Sequence, residues 1–253
     1  SIFRNKIENL DEMLGKKIED YLKKKFTEKG ITFISGEIIS KTEQGECDII
    51  IESSRRIIFI ELKKKVLTAK ARSGYPINLF VDLSLGFLNP IVQTYRNEYL
   101  IVADGKLSVK QSSDGTVIDI TRNDRDIERI AVSKMEYNSF TDEMISRNLL
   151  CSYYKNSFSV GERAGKKIKD KISQITGKQK KLRKYVQNLS EKDNVRDPFF
   201  NSHFRSLIQI IEVINDSTSN EDFCENLLKA KHITTASLDW YFEYERAKSI
   251  NRV

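Results

Sequence analysis

The sequence predicts an α/β protein, with a mixed β-sheet flanked by helices and a C-terminal region that is all helical. A helical pattern is followed by three short apolar runs joined by polar turns, and helix and strand patterns then alternate. Beyond residue 155 the apolar positions recur only at helical spacing. Because alternating strands and helices pack as a sheet covered by helices, we predict two domains, residues 1–155 and residues 156–253.

The composition is that of a globular protein with a basic surface. Hydrophobic residues make up 39% of the 253 residues and charged residues 31%, unlike a disordered chain. The net charge of +7 favours polyanionic partners such as nucleic acid. No apolar run approaches the roughly 20 residues that span a bilayer, and the first residues lack the apolar core of a signal peptide. We therefore expect no membrane partner.

The cysteines and histidines argue against several kinds of site. Cys47, Cys151 and Cys224 are far apart and lack metal-ligand spacing, so we expect reduced thiols in a cytoplasmic protein. His203 and His232 are the two histidines of the chain, and both come late in it. A nuclease site with several clustered histidines therefore has too few residues, and we expect these two histidines to be packing or surface residues.

The N-terminal segment has the pattern of an amphipathic helix over about residues 3–28, ended by Gly30. Its apolar residues are spaced by three or four positions: Phe3, Ile7, Leu10, Leu14, Ile18 and Tyr21. Three acidic residues form a column beside this stripe: Glu8, Glu12 and Glu19.

Three strands follow, and the short turns between them predict an antiparallel meander. The strands are residues 31–39, 47–51 and 57–63, and the turns are Lys41–Gly45 and Ser53–Arg56. The third strand carries the run Ile57–Ile60, whose unbroken apolar character indicates burial on both faces.

The later elements are assigned from periodicity and from helix start signals. We predict a loop at 69–76, a helix at 90–103 opened by Pro90, a turn at 112–115, a strand at 129–133, and a helix at 141–154 with Thr141 as N-cap. The segment 77–85 fits either a strand or a helix. The predicted C-terminal helices are a basic one with an apolar stripe over 168–189 and Gly177 as a candidate break, one that begins at Asp197–Pro198, and two at 220–231 and 235–249.

Glu61 and Lys63 stand at the end of the third strand, and Asp48 begins the apolar run before it. Residues two apart on a strand point to the same face, so Glu61 and Lys63 share one. Mg²⁺ binds oxygen ligands, usually one or two carboxylates with waters and substrate phosphates. We therefore predict a site for Mg²⁺, or for Mn²⁺ in its place, formed by Asp48, Glu61 and the Leu62 carbonyl.

Other residues near this motif have roles that depend on packing. Lys63 is placed to orient an attacking water or to stabilise charge on the phosphate. Glu19 supplies a further ligand if the first helix crosses the strand ends. Glu37 and Glu46 are competing acidic residues, for which we expect outward-facing positions. For Glu61-Leu62-Lys63 alone, surface charge is the commoner explanation, and the buried strand before it favours a site.

This arrangement resembles the PD-(D/E)xK nuclease superfamily, which has a restriction-endonuclease-like fold with an αβββαβ core. Asp48 matches the first acidic position, and Glu61-Leu62-Lys63 matches the (D/E)-x-K motif. Glu19 is similar to a glutamate that many members carry on the first helix, and Gln93 to a glutamine that several subfamilies place near the active site. The resemblance covers about residues 3–155 and implies catalytic roles for these residues.

Two departures from the family pattern bear on this resemblance. Cys47 stands at the position of the proline in the motif name, a replacement that the family tolerates. Gln93 is followed four residues later by Asn97, so the Q-x-x-x-Y form of some exonuclease-like members is not met. Fold and metal chemistry therefore transfer to this chain better than substrate does.

Basic residues near the motif and in the C-terminal region are candidate phosphate ligands. The residues that we predict to bind nucleic acid are Lys64, Lys65, Lys70, Arg72, Lys166 and Lys167. The basic helix over 163–184 has two explanations that stay open, a solvated surface or a track for a nucleic-acid backbone. For Tyr95 and Tyr99, helical spacing favours core packing over base stacking.

Residues and resemblance together predict a Mg²⁺-dependent nuclease, an endonuclease or exonuclease that hydrolyses phosphodiester bonds. DNA is the favoured substrate, in a restriction, defence or repair role. The alternative is a catalytically inactive nucleic-acid-binding or assembly protein that retains the nuclease fold. The C-terminal helices would help to hold the substrate or would form a homodimer.

Overall fold

A seven-stranded mixed sheet with helices on both faces forms the centre of the protein. The computed structural model describes residues 10–63, 67–162, 164–193, 197–233, 235 and 237–250. The strands are β1 (Ile34–Ile39), β2 (Glu46–Glu52), β3 (Arg56–Lys63), β4 (Leu107–Gln111), β5 (Val117–Ile120), β6 (Asp126–Ser133) and β7 (Ser202–Ser206). Their order across the sheet is β5-β4-β1-β2-β3-β6-β7. The predicted α/β class with a mixed sheet is confirmed.

The helices alternate with the strands along the first part of the chain and dominate the second. They are α1 (Leu10–Glu28), α2 (Ala69–Arg72), α3 (Pro76–Leu83), α4 (Asn89–Asp104), α5 (Glu143–Lys155), α6 (Lys166–Asp193), α7 (Leu207–Asn215), α8 (Asn220–Leu228) and α9 (Trp240–Ile250). A π-helical turn, Ser84–Leu88, joins α3 to α4, and short 3₁₀ turns occupy Asn138–Thr141 and Lys229–His232. None of the helices in the described ranges is long and apolar enough to cross a membrane.

The predicted meander is confirmed, because β1, β2 and β3 pair antiparallel in sequence order. β6 then runs parallel to β3 along its whole length, from Arg56↔Asp126 to Lys63↔Ser133. β7 runs parallel to β6 and extends the sheet further. β3 therefore lies inside the sheet, which explains why the run Ile57–Ile60 is fully buried.

Two layers of helices cover the sheet. On one face α1, α7, α8 and α9 pack on the strands, with Leu22 and Phe26 of α1 against Ile58 and Ile60 of β3. On the other face α4 packs on the sheet through Leu100. The long helix α6 packs on the outer side of α4. The carboxyl end of β3, where the candidate residues lie, is therefore bordered by helices on both sides.

Several predicted elements of the first 155 residues need correction. The predicted turn at 112–115 is confirmed, but the two strands that it joins, β4 and β5, were missed. The predicted loop at 69–76 contains the short helix α2 and the start of α3, and the ambiguous segment 77–85 is helical. The N-cap of α5 is Asp142, which accepts hydrogen bonds from the backbone of Met144 and Ile145, both at 3.0 Å. Thr141 instead donates to the Asn138 carbonyl.

The C-terminal region is helical in the main, but it is not all helical as predicted. The helix expected from Asp197–Pro198 is wrong, because Ser202–Ser206 forms strand β7 and joins the sheet. Phe200 and Phe204 imitate helical spacing, but the helix begins only at Leu207, where Ser206 and Gln209 form a capping box. α6 continues through Gly177, because its buried apolar face offsets the roughly 1 kcal/mol cost of glycine in a helix.

Two predictions fall partly outside the described residues. The N-terminal helix, predicted from about residue 3, is described from Leu10 to Glu28, and Gly30 follows it with φ +70°. Lys64 and Lys65, predicted to bind nucleic acid, lie outside the described residues.

Candidate active site

Asp48 lies on β2 near the point at which β2 and β3 separate. The last residue pair between these strands is Ile49↔Ile60, and continuing this register by one residue places Asp48 opposite Glu61. Asp48 Oδ2 accepts a 2.7 Å hydrogen bond from the backbone N–H of Leu62. The two carboxylates predicted to bind metal are therefore neighbours at the end of β3, as the sequence suggested.

Glu61 is only 2% exposed, although it lies at the end of its strand. Its side chain faces α4, where the Asn97 amide donates to Glu61 Oε1 at 3.4 Å. Burial, and then the charge of Asp48, raise the pKa of Glu61 well above its ordinary value, and the Arg96 guanidinium opposes this rise. Two acidic groups are thus held together where ionising both is costly, which is the environment that a bound cation would relieve.

Arg96 stabilises the position of this pair by holding the turn that leads into β2. Its guanidinium donates to the carbonyls of Gln44 at 3.1 Å and Glu46 at 2.9 Å, and to Asn97 Oδ1 at 2.9 Å. Gly45 makes this approach possible, because a Cβ built there would lie 1.9 Å from Arg96 Nη1. Arg96 thereby fixes both the turn before Asp48 and the amide that contacts Glu61.

Gln93 belongs to a row of amides along one face of α4. Asn89, Gln93 and Asn97 are spaced by four residues and so lie above one another. Asn89 Nδ2 donates to Gln93 Oε1 at 3.3 Å, and Asn97 reaches Glu61. The row places the predicted residue Gln93 between the buried carboxylate and the cleft beside α4.

Lys63 lies at the edge of a cleft of about 520 Å³ between β3, the start of α4 and α6. The cleft is lined by Lys63, Leu85, Asn89, Gln174, Gly177, Lys178 and Lys181. The middle of α6 borders the cleft together with Lys63.

Glu19 lies on α1, where it pairs with Lys23 at 2.7 Å. The preceding turn of α1 passes the end of β3, because Gly15 and Ile18 line a small cavity with Leu62 and Lys63. α1 packs on the sheet face opposite to the one that α4 covers. Glu19 is thus near the strand ends, and its role as a ligand stays a prediction.

The other candidates lie on the surface. Glu37 and Glu46 are exposed, as expected for acidic residues outside the site. Lys70 and Arg72 are exposed on α2, and Lys166 and Lys167 are exposed at the start of α6. Their predicted role in nucleic-acid binding stays a prediction.

Asp48, Glu61 and Leu62 provide the donors that Mg²⁺ prefers, two carboxylates and a carbonyl oxygen. The N–H and C=O of one strand residue point to the same neighbouring strand, so the Leu62 carbonyl is directed to β2, as its N–H is. In the described part of the chain, no group of three or more His, Cys, Asp or Glu residues is placed to hold a metal ion. Metal binding would therefore rely on this pair, a carbonyl and waters or phosphates.

Arg96 and Asn97 were not predicted as parts of the site. The spacing of Gln93 and Asn97 by four residues was an available signal, since such residues share a helix face. Arg96 gave no local signal, because its partners Gln44 and Glu46 lie about fifty residues earlier.

A second cluster of charges is buried away from these residues. His203, which is 1% exposed, lies between Glu128 at 2.8 Å and Glu143 at 2.9 Å. Arg205 pairs with Glu143, and Lys231 with Glu128 at 2.9 Å. His203, expected to be a packing or surface residue, is buried, but it is part of an ion-pair network and does not simply pack against apolar residues.

Tyr95 and Tyr99 also pack as expected. Tyr95 is buried, with its hydroxyl 3.0 Å from Ser202 Oγ, and Tyr99 lies against the ring of Tyr185 at 5.4 Å. The ring of Tyr95 is therefore not accessible for stacking on a base.

Fold and site together define an α/β protein in which the buried Glu61 of a central strand lies beside the half-buried Asp48, with a lysine-lined cleft next to them. No protein-family model, curated protein or solved structure matches this chain. Its function is therefore inferred from the geometry of Asp48, Glu61 and their neighbours.

Proposed function

We propose that this protein is a Mg²⁺-dependent nuclease of the PD-(D/E)xK type, which hydrolyses phosphodiester bonds, with DNA as the favoured substrate. The observation that carries the proposal is the pairing of Asp48 with the buried Glu61 beside Lys63. Chance surface charges would be solvated and apart, whereas these two carboxylates are held together by hydrogen bonds to the backbone and to Asn97.

The order of elements supports the same proposal. α1, the meander β1–β2–β3, α4 and β6 occur in the order αβββαβ, with α2 and α3 inserted before α4 and the hairpin β4–β5 inserted before β6, and β6 runs parallel to β3. This is the order that the resemblance implies. The hairpin β4–β5 and strand β7 are additions at the two edges of the sheet.

The carboxylate pair has the electrostatics of a cation site. Taking a carboxylate out of water is costly unless a positive charge or hydrogen bonds compensate. Arg96 and Asn97 compensate in part, yet the pKa of Glu61 stays raised by burial and by Asp48. When bound, Mg²⁺ would polarise a phosphoryl oxygen and lower the pKa of a ligated water.

The chain's own residues would position the substrate around this pair. Lys63 borders the cleft, where its ammonium would orient the attacking water or stabilise charge that develops on the phosphate. Gln93 and Asn97 would fix the orientation of Glu61 from α4. Glu19 would assist from α1.

The test compares wild type with Asp48→Asn, and with Glu46→Gln as a matched control. Glu46 lies two residues earlier on the same strand, carries the same charge and is exposed. We expect wild type and the control to cut labelled DNA with Mg²⁺ or Mn²⁺ and to stop with a chelator. We expect Asp48→Asn to lose both cutting and the heat of Mn²⁺ binding in calorimetry.

The outcomes separate the nuclease from its alternative. Undiminished cutting by Asp48→Asn would contradict the assignment of the site. DNA binding that is sensitive to salt but indifferent to metal, without any cutting, would instead identify an inactive binding protein with this fold.

A further inference from the structure

The cleft beside Lys63 is lined by basic and neutral residues. Its described lining consists of three lysines, two amides, a glycine and a leucine, and none of these residues is acidic. Three lysines around one cleft raise the positive potential of its concave surface. Such a surface concentrates anions.

One face of α6 forms the wall of this cleft. Gln174, Gly177, Lys178 and Lys181 follow the spacing i, i+3, i+4, i+7 of a single helix face. A different face of α6 is buried against α4 and its neighbours through Ile175, Leu182 and Val186. The face of α6 that lines the cleft is therefore separate from the face that is buried in the hydrophobic core.

The charges at this wall repel one another. Burial, followed by the charges of Lys181 and Arg96, lowers the pKa of Lys178. Both named charges are cations, so Lys178 is placed where a positive charge is unfavourable in the protein alone. An anionic ligand between Lys178 and Lys181 would reverse this penalty.

Gly177 leaves the wall open at its centre. A Cβ built at this position would meet no atom within 4 Å. Glycine destabilises a helix interior relative to alanine, and no neighbour in the fold requires it here. A bare backbone between Gln174 and Lys178 would instead allow an extended ligand to lie close to the helix.

We propose that this cleft binds the phosphodiester backbone of one nucleic-acid strand, with Lys178 and Lys181 on phosphates next to the one at Lys63. The inference deepens the proposed function, because Lys63 marks the reacting phosphate only if the protein is a nuclease. Along α6 this helix face continues through Asp170, Lys171 and Lys167, so beyond the cleft the strand would pass two lysines and one acidic residue. The basic helix is thereby a binding track and not only a solvated surface.

The test measures binding by fluorescence anisotropy with a chelator present, so that nothing is cut. The probes are a labelled single-stranded DNA oligonucleotide, its duplex and the RNA of the same sequence. The variant Lys178→Gln/Lys181→Gln is compared with Lys169→Gln/Lys180→Gln. The control pair is exposed, removes the same charge from the same helix, and lies about half a turn away from Lys178.

We expect the cleft pair to weaken binding roughly tenfold and to reduce the slope of log K against log salt by about two, one for each phosphate contact. The control pair should change affinity by less than threefold or so, through its general charge alone. Comparison of the three probes would show which nucleic acid the strand comes from. Equal losses for both pairs, no loss for the cleft pair, or no binding by wild type would overturn the proposal.

Gly177→Ala provides a second test that does not change charge. The methyl group meets no atom of the protein, and alanine favours the helix, so we expect a melting temperature at or above that of wild type. Binding should nevertheless fall several-fold, because the methyl group projects into the cleft. Unchanged affinity in a folded Gly177→Ala protein would contradict a close approach of the strand to the helix.

The failure of this inference differs from the failure of the proposed function. If wild type cuts DNA but the cleft pair affects neither affinity nor KM, the nuclease stands and the track is wrong. If the cleft pair weakens binding but wild type never cuts, the track stands and catalysis at Asp48 and Glu61 is wrong.

Discussion

The backbone N–H of Leu62 donates a 2.7 Å hydrogen bond to Asp48 Oδ2, just beyond the last residue pair of β2 and β3. A side-chain carboxylate thus takes the place that a backbone carbonyl holds elsewhere along the two strands. This exchange anchors Asp48 beside Glu61 at the position where the strands separate. The carboxylate pair is therefore built into the strand pairing and does not depend on long flexible side chains.

Replacing Glu61 by glutamine should separate the effects of pH and metal on stability. Burial and then Asp48 raise the pKa of Glu61 above its ordinary 4.5, so the folded protein holds this proton more tightly than the unfolded chain. Stability from this group is present below that value and is lost as pH rises through the folded-state pKa. Without metal, the free energy of unfolding of wild type should therefore fall relative to Glu61→Gln as pH rises.

Mg²⁺ should restore this loss, because it binds the ionised carboxylate. We expect Mg²⁺ to raise the melting temperature of wild type more at about pH 8 than at about pH 6, and to leave Glu61→Gln unchanged. Thermal unfolding with Mg²⁺ or with a chelator measures both effects. A metal response of equal size in the two proteins would show that Glu61 is not a ligand.

The meander and the carboxylate pair could be predicted because their signals are local. Ile57–Ile60 is an unbroken apolar run, and such runs belong to strands that are buried on both faces. Short polar turns on either side fixed the antiparallel order, and this order brought Asp48 and Glu61 together. The burial expected from the apolar run in the sequence is therefore the burial found in the structure.

The edges of the sheet could not be predicted in the same way. β4 and β5 are short strands with exposed positions such as Val117, so their alternation is weak. β7 carries Phe204 at helical spacing from Phe200 and Leu207, and only pairing with β6 makes it a strand. The contact of α6 with the cleft joins Lys178 to Lys63 across more than a hundred residues, which no local pattern reports.

Removing the Lys63 ammonium should slow cutting without removing metal. We expect Lys63→Ala to lower kcat by roughly 10²–10⁴, the usual contribution of a group that assists proton transfer or stabilises charge. Lys63→Arg separates the two roles, because arginine keeps the charge but cannot lose its proton. Lys110→Ala, an exposed residue on β4, is the control. Single-turnover kinetics with a saturating metal concentration would measure the effect, and a wild-type rate for Lys63→Ala would exclude Lys63 from catalysis.

A methyl group at Gly45 should disturb the site through Arg96. Gly45 has φ +151°, and its added Cβ would lie 1.9 Å from Arg96 Nη1, so either the turn or the guanidinium must move. We expect Gly45→Ala to lose about 1–3 kcal/mol of unfolding free energy in urea, together with most of the cutting activity. Gly165→Ala, whose Cβ meets no atom within 4 Å, should retain both. A stable and active Gly45→Ala protein would mean that Arg96 does not hold the turn before Asp48.

The buried His203, which lies on β7, should also make the free energy of unfolding depend on pH. Burial alone would lower its pKa, but Glu143 and Glu128 outweigh burial and raise the pKa above the ordinary 6.5. Stability from the charged imidazole is therefore present in full below that value and is lost as pH rises through the folded-state pKa. We expect His203→Gln to cost about 3–5 kcal/mol at low pH, the scale for breaking a buried ion pair. The cost should shrink as pH rises, which urea unfolding at several pH values would measure. A constant difference between wild type and His203→Gln across this range would show that the imidazole is neutral between its two carboxylates.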